Sequence, residues 1–285
     1  MTVTVEANPG SRDPRVAQAR HTWRVVRAVT AVNLRATLEY RGDAFMMILF
    51  GIIWQTSTLI FATVLITRFA GVGGWPSIGV VLIAGVRLLS HGFYVLIFYN
   101  VGLLPGLIDE GRMDGYFLRP VPIFTQLLLS SFNANAIGDL LVAFTLCVVA
   151  LPQIAVDWTV GKALFLVAGV IGGTLIEAAI QMIAACFLLR SPGTRAIPGF
   201  IDEMFGTFGN YPLTILPGAL QGIFTFVLPL AFIAYFPVAV VLDLTPPGVF
   251  MSTLAHLSPL VGLLLFLSAR RIWARSLRNY ASVGG

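Results

Sequence analysis

Six polar or ionisable side chains fall inside long apolar runs of the sequence. They form three pairs, each with a spacing of four residues: Arg87 and His91, Asn135 and Asp139, and Glu177 and Gln181. This spacing places both members of a pair on one face of a helix. Because such groups are costly inside a membrane, they are first candidates for function: they could line a path for a polar cargo or relay protons.

Two of these pairs are expected at similar depth. Arg87 lies about 10 residues, or about 15 Å, into its run, and Glu177 lies about 15 residues, or about 22 Å, into a run of the same direction, close to the depth of His91. One interpretation is a polar lining of a translocation path. The other is a structural pair, Glu177 with Arg87 or His91, that holds two helices together. The same two interpretations stay open for Asn135 and Asp139.

The sequence lacks the motif of a nucleotide-hydrolysing P-loop. That motif, G-x-x-x-x-G-K-[ST], needs glycines and a lysine because backbone amides and the lysine hold the phosphates. The only lysine is Lys162, but Ala163 follows it and Val156 stands in the place of the first glycine. This chain is therefore not expected to hydrolyse ATP by that route.

Other catalytic and metal-binding patterns are also missing from the sequence. His21, His91 and His256 lack metal-ligand spacing, and no G-x-S-x-G nucleophile elbow is present. Cys147 and Cys186 both fall in apolar runs, where cysteines are usually small buried hydrophobes. We predict no enzymatic activity, no cofactor and no metal in this chain.

The composition is that of an all-α integral membrane protein. Of the 285 residues, 57% are hydrophobic and 11% are charged, and the mean hydropathy is +0.88. Several runs reach the roughly 20 apolar residues that a helix needs to cross about 30 Å of hydrocarbon. We predict a single domain over residues 42–270 with six transmembrane helices: 45–67, 77–100, 124–151, 163–189, a fifth that begins near 197, and 249–269.

The region before the last span is expected to be irregular. Residues 197–243 are too many for one span, and four prolines interrupt them: Pro212, Pro217, Pro229 and Pro237. Irregular backbone survives at membrane depth only if it is buried in protein. We therefore predict one span followed by re-entrant helices over residues 212–243, which enter the outer leaflet and return.

The basic residues are distributed unequally between the two sides of the predicted bundle. Only Arg68 and Lys162 fall on one side, and Arg87 lies within a span. The other side carries fifteen arginines, at positions 12, 15, 20, 24, 27, 35, 41, 112, 119, 190, 195, 270, 271, 275 and 278. This excess predicts a multi-pass protein of the cell inner or plasma membrane with both termini cytoplasmic. The arginines can face anionic lipids, so the basic charge does not require nucleic acid.

The two ends of the chain are predicted to lie outside the spans. Residues 1–19 are expected to be a disordered cytoplasmic tail, and residues 271–285 a cytoplasmic C-terminal tail. Residues 20–41 have helical amphipathicity, with arginines on one side and valines on the other. We expect an interfacial helix on the inner leaflet. The alternative is a solvated helix packed on a partner protein.

A charged segment, "GLIDEGRMDGYFLRP", stands between the second and third predicted spans. Its apolar residues can share one side of a short helix, with Asp109, Glu110, Arg112 and Asp114 on the other. A short cytoplasmic helix over residues 106–119 could dock in the groove of another protein and pass movement to both spans. An ordinary connecting loop explains the spacing equally well.

Three stretches resemble permeases of the ATP-binding cassette type-2 exporter family. The loop matches a G-x-x-D-x-x-x-L-R-P-like pattern at Gly111, Asp114, Leu118, Arg119 and Pro120. Residues 211–242 are similar to the proline-rich region of the same branch. The ending is similar at Trp273, Leu277, Arg278, Tyr280 and Gly284. The resemblance covers the chain from about residue 20 to its end.

The resemblance implies a membrane dimer of two permeases, identical or different, with two separate ATPase subunits beneath it that bind ATP and Mg. It implies a coupling helix at 106–119 whose contacts with the ATPase involve Asp109, Glu110, Gly111, Arg112, Asp114, Arg119 and Pro120. The interfacial helix would assist, and residues 211–237 would form outward-facing re-entrant helices near the exit.

Three hypotheses follow for the function. The leading one is the permease subunit of an ATP-driven exporter of amphipathic or hydrophobic cargo. The second is a proton-coupled secondary transporter that uses Arg87, His91, Asp139 and Glu177 as a relay. The third is a membrane scaffold without transport.

Overall fold

The computed structural model describes residues 26–33, 35, 39–119, 121–188 and 196–278. Within these ranges the chain is mostly helical, including residues 26–33. The predicted tail at 1–19, much of the predicted interfacial helix at 20–41 and the last seven residues of the C-terminal tail lie outside the described residues.

The first half of the bundle contains two long helices joined by a tight hairpin. Helix α1 is Arg41–Arg68 and α2 is Ser77–Ile97. Between them, strands β1 (Gly71–Val72) and β2 (Trp75–Pro76) pair antiparallel. Gly73 and Gly74 form the turn with φ of +59° and +84°, which a residue with a Cβ adopts only under strain.

Four short helices follow α2 at one end of the bundle: α3 (Tyr99–Gly102), α4 (Leu104–Asp109), α5 (Asp114–Phe117) and α6 (Ile123–Leu128). Helix α7, Asn135–Ala150, returns through the bundle and ends in a 3₁₀ turn, Leu151–Gln153. Helix α8, Val160–Leu188, is the longest described helix at 29 residues.

The last part of the described chain is a series of broken elements. Helix α9 is Ala196–Phe208 and α10 is Gly218–Gly222, followed by a π-helical turn at Ile223–Val227. Two 3₁₀ turns, Leu213–Ile215 and Leu230–Phe232, precede α11, Tyr235–Val241. Helices α12 (Val249–His256) and α13 (Ser258–Arg278) meet at a bend of 67°.

Packing places α2 in the centre of the bundle, where α7 and α8 cover it, while α1 packs on α7 and α13 packs along α8. The contact between α8 and α13, here called the α8–α13 seam, is very close. A Cβ on Gly262 would lie 2.7 Å from the Cα of Gly172. Small residues let helix backbones approach in this way. At Gly172 and Gly262 the seam is therefore formed by backbone packed against backbone.

The chain is a multi-pass all-α membrane protein. Among the described residues, four helices are long and apolar enough to cross a membrane: α1, α2, α7 with its 3₁₀ turn, and α8. The bent α12–α13 pair brings the number to five if it is one span. The count of six remains a prediction. At the position predicted for the fifth span, α9 has 13 residues, and about 20 Å of helix is too short to cross the hydrocarbon core.

The third predicted span, 124–151, contains a break between α6 and α7. Asn100 Nδ2 donates to the Ser131 carbonyl at 2.8 Å, and Ser131 Oγ donates to Asn100 Oδ1 at 2.7 Å. Ser130 Oγ also bonds the Leu127 carbonyl at 2.8 Å. These side-chain bonds stabilise a non-helical backbone that apolar length alone does not reveal.

Residues 212–243, predicted to be re-entrant, consist of short helices, three of which directly follow a proline: Pro212, Pro217 or Pro229. Pro217 directly precedes α10, where its missing N–H removes no helical bond. Thr214 Oγ1 donates to the Gly73 carbonyl at 2.7 Å, and Lys162 Nζ contacts Asp243 Oδ2 at 2.6 Å. These contacts join the region to the β-hairpin and to the start of α8.

Candidate functional site

The face that α2 presents to α8 carries a close contact between a histidine and a buried carboxylate. His91 Nδ1 lies 2.5 Å from Glu177 Oε1, and Glu177 is 1% exposed. Of the two structural pairings considered from the sequence, the geometry brings Glu177 to His91. The helical rise counted from the sequence places both side chains at a similar depth, and the contact agrees with that count.

Arg87 lies one turn from His91 and is 6% exposed. Its aliphatic stem packs against the chain at Gly209, where an added Cβ would lie 3.2 Å from Arg87 Cγ. Among the described residues, no carboxylate oxygen comes within 4 Å of its guanidinium, although Glu177, Asp202 and Asp139 are its electrostatic neighbours. Arg87 is therefore held in place by packing, with its charge balanced at a distance.

Asp139 is buried on α7 and bonded to α1. Gln55 Nε2 donates to Asp139 Oδ1 at 3.1 Å, and both residues are buried. Asn135 lies on the same face of α7, one turn away. Its Oδ1 packs against Gly51 of α1, where an added Cβ would lie 2.6 Å from it.

Gln181 connects α8 to α9. Its Nε2 donates to Asp202 Oδ1 at 2.5 Å, with a longer contact of 3.4 Å to the Pro198 carbonyl. Asp202 is exposed on its other side. The sequence interpretation did not include Gln55, Asp202 or Glu203. The sequence nevertheless marks all three as polar residues in apolar surroundings. Gln55 interrupts an apolar run, and Asp202 and Glu203 are adjacent acidic residues inside the region predicted to be a fifth span.

These residues surround one cavity, here called the polar cleft, with a volume of about 840 Å³. Arg87, His91, Asn135 and Asp139, all predicted from the sequence, line it together with Gln55. The rest of its wall is contributed by Phe50, Trp54, Ser57, Thr58, Tyr94, Val95, Tyr99, Asn133, Gly199, Asp202, Glu203, Gly206, Thr207 and Asn210. Glu177 and Gln181 lie behind this wall and hold His91 and Asp202.

A second, mostly apolar cavity of about 610 Å³ adjoins the polar cleft. The two share Phe50, Tyr99, Asn133 and Asn135. The apolar cavity adds Met46, Met47, Ser131 and Phe132. Together they form a continuous surface that is polar in one part and apolar in the other.

Within the described ranges, no group of three or more His, Cys, Asp or Glu side chains could hold a metal ion. The ionisable groups are instead tied to amides, to one another or to distant charges. The arrangement can bind and orient a charged or polar molecule inside the bundle, or exchange protons between His91 and Glu177.

The second predicted site, the coupling helix at 106–119, falls within residues 104–119, here called the α4–α5 segment. Gly111, with φ of +66°, divides it into two short helices, where the sequence predicted one helix over 106–119. Met113 is fully buried in a cluster that includes Met182 of α8 and Trp273 of α13. The turn therefore anchors the segment to the ends of two long helices.

The other face of the α4–α5 segment is open. Glu110 and Arg112 form an exposed ion pair at 2.9 Å, and Leu118 is 87% exposed. Arg119 lies over the Tyr116 ring at 5.5 Å. The side chain of Asp109 and the whole of Pro120, both predicted contact residues, lie outside the described residues.

The fold and site define a multi-pass membrane protein with a polar cleft inside its bundle and an anchored segment at one end. The family model for an ABC-2 family transporter protein matches residues 52–284. The chain belongs to this family. Members are membrane subunits that work with separate ABC ATPase subunits and are not the ATPase themselves. No curated protein and no solved structure matches the chain at a significant level.

Proposed function

We propose that this chain is the permease subunit of an ATP-driven exporter that moves an amphipathic or hydrophobic cargo out of the cell. In this proposal it forms a dimer with a second permease, identical or different, in the cell inner or plasma membrane, with both termini cytoplasmic. Separate ATPase subunits bind ATP and Mg and dock on the α4–α5 segment. Membrane lipids surround the dimer.

One observation carries this proposal: the α4–α5 segment is buried on one side and exposed on the other. Met113 is fixed among residues of α8 and α13, while Glu110, Arg112 and Leu118 face outward. A partner that grips the exposed side can thus move the ends of two long helices as a unit. The division at Gly111 does not weaken this role, since Met113 provides the rigidity that a continuous helix was expected to provide.

The polar cleft supplies the second half of the mechanism. Movement of α8 carries Glu177 and Gln181, and these contact His91 and Asp202 behind the cleft wall. A displacement at the segment would therefore change the spacing of the cleft residues. The proline-interrupted region from 212 to 243 would provide the outer exit.

The test is reversal of the charges on the exposed side, with Glu110→Lys and Asp114→Lys combined. We expect the ATPase subunit to be lost when the permease is purified in mild detergent, because the docking surface would repel its partner. The matched control is Asp157→Lys, which is exposed between α7 and α8. Retention of the ATPase by the double variant, with normal membrane insertion, would refute the docking role.

A second candidate is proton-coupled transport, and the contact between His91 and Glu177 favours it. With Arg87 and Asp139 nearby, these groups could exchange a proton during transport. Vesicles with a proton gradient and no nucleotide distinguish the two. Transport under these conditions, abolished by His91→Gln, would support the proton-coupled transporter and count against the exporter.

A further inference from the structure

We propose that the polar cleft binds a zwitterionic amphiphile: a molecule with an ammonium group, an anionic oxygen group and an apolar chain. This inference rests on the proposed function, because it takes the polar cleft as part of the cargo path. It goes further by naming the chemistry of the molecule. Each of the three parts of the ligand matches a different feature of the two cavities.

The ammonium group follows from the charges on the cleft wall. Asp139, Asp202 and Glu203 line the polar cleft, against the single guanidinium of Arg87. His91 is already engaged by Glu177. A carboxylate attracts a cation close to it, and Asp202 and Glu203 are exposed where a ligand can reach them.

The anionic group follows from Arg87. This side chain is more than nine-tenths buried and lines the polar cleft. Within the described part of the chain it forms no ion pair: no carboxylate oxygen lies within 4 Å of its guanidinium. A guanidinium has five N–H donors, and because Arg87 lines the polar cleft, they can bind a ligand there. A carboxylate or phosphate oxygen would match their planar arrangement.

The apolar chain follows from the adjoining cavity. Phe50 belongs to both cavities, and its ring stacks on Trp54 with centroids 6.0 Å apart. Beyond Phe50 the wall becomes Met46, Met47 and Phe132. A chain attached to a head group in the polar cleft can extend past Phe50 into this mostly apolar space.

Simpler ligands fit the wall less well. A plain cation would leave the donors of Arg87 without an acceptor. A plain anion would meet three carboxylates in the same space. A neutral head group would compensate neither charge. A head group with both charges pairs its ammonium with Asp202 or Glu203 and its anionic oxygens with Arg87.

The test uses four amphiphiles that share one dodecyl chain and differ in the head group. These are dodecylphosphocholine, dodecyltrimethylammonium, dodecyl phosphate and dodecyl maltoside. Binding to the full chain in phosphatidylglycerol nanodiscs is measured by equilibrium dialysis of labelled dodecylphosphocholine, with the other three as competitors and empty nanodiscs as the blank. We expect dodecylphosphocholine to bind about tenfold more tightly than each of the others.

Two variants should change this preference in opposite ways. Asp202→Asn should remove the preference over dodecyl phosphate, because the ammonium loses its partner. Arg87→Gln should remove the preference over dodecyltrimethylammonium, because the anionic oxygens lose their cationic partner. Arg87→Lys keeps the positive charge and should therefore retain part of this preference, which also provides a test if Arg87→Gln does not fold. The matched controls are Asp157→Asn and Arg68→Gln, both exposed and outside the polar cleft.

Equal binding of all four head groups, or binding no greater than to empty nanodiscs, would overturn the proposal. So would an unchanged preference in both Asp202→Asn and Arg87→Gln. Repeating the measurement in phosphatidylcholine nanodiscs identifies the source: competition by bulk lipid indicates a membrane phospholipid, and its absence indicates a separate amphiphilic cargo. If dodecylphosphocholine binds but no ATPase co-purifies, the exporter proposal fails while the head-group assignment stands.

Discussion

Helix α8 is held on two sides by different physical means. Toward α13 it approaches so closely that Gly172 and Gly262 leave no room for a side chain. Toward α2 and α9 it makes polar contacts, with Glu177 on His91 and Gln181 on Asp202. The side facing α13 depends on shape and tolerates almost no increase in side-chain volume. The side facing α2 and α9 depends on charge and hydrogen bonds, and because it borders the polar cleft, its side chains can adjust to a substitution.

The largest expected effect is at the α8–α13 seam. Gly262→Ala places a methyl group against the backbone of Gly172, which cannot rotate away as a side chain could. We expect a loss of about 3 kcal/mol or a failure to accumulate as folded protein. The measurement is the thermal midpoint in detergent by size exclusion. Gly42→Ala is the control, since its Cβ would meet nothing within 4 Å and should be neutral or slightly stabilising. Equal midpoints for the two variants would contradict the close approach at the seam.

An intermediate effect is expected on the polar side of α8. Glu177→Ala removes a buried carboxylate and its contact with His91 Nδ1, so we expect a cost of about 2 kcal/mol. A double-mutant cycle with His91→Ala measures their interaction and should give a coupling of about 1 kcal/mol or more. Additive effects of the two substitutions would show that the contact does not stabilise the protein, and the contrast between the two sides of α8 would lose its basis.

The smallest effect is expected at the contact between α1 and α7, where Gln55 donates a hydrogen bond to Asp139. Gln55→Leu keeps the volume and removes one hydrogen bond to a buried carboxylate, for a loss of about 1 kcal/mol in the same assay. Gln153→Leu, at an exposed 3₁₀ turn, should change the midpoint by less. A larger loss at Gln55 than at Glu177 would indicate that α1, not α8, organises the polar cleft.

The sequence predicted those features that depend only on residues close together in the chain. Apolar length placed α1, α2 and α8 within a few residues, because hydropathy reports what a helix can cross. The four-residue spacings placed Arg87 with His91 and Asn135 with Asp139 correctly on common faces, and the helical rise brought Glu177 to the depth of His91. None of these inferences required knowledge of which helices are neighbours.

What the sequence did not reveal depends on contacts between distant segments. Asp202 reaches Gln181 only because α9 folds back on α8, and Gln55 reaches Asp139 only because α1 packs on α7. The break before α7 depends on Asn100 finding Ser131. Gly111 adopts a positive φ and Met113 is buried in the core. Neither feature can be predicted from the amphipathic pattern of the segment.

The ion pair between Lys162 and Asp243 has a practical consequence. Lys162 is the only lysine in the sequence, and its amine is occupied by the Asp243 carboxylate at 2.6 Å. An amine-reactive reagent that does not penetrate bilayers therefore has one side-chain target, at the end of the bundle opposite the α4–α5 segment. Labelling of intact cells compared with inverted vesicles would report the sidedness of the whole chain from that single position, and opening of the contact to Asp243 would increase the rate of labelling.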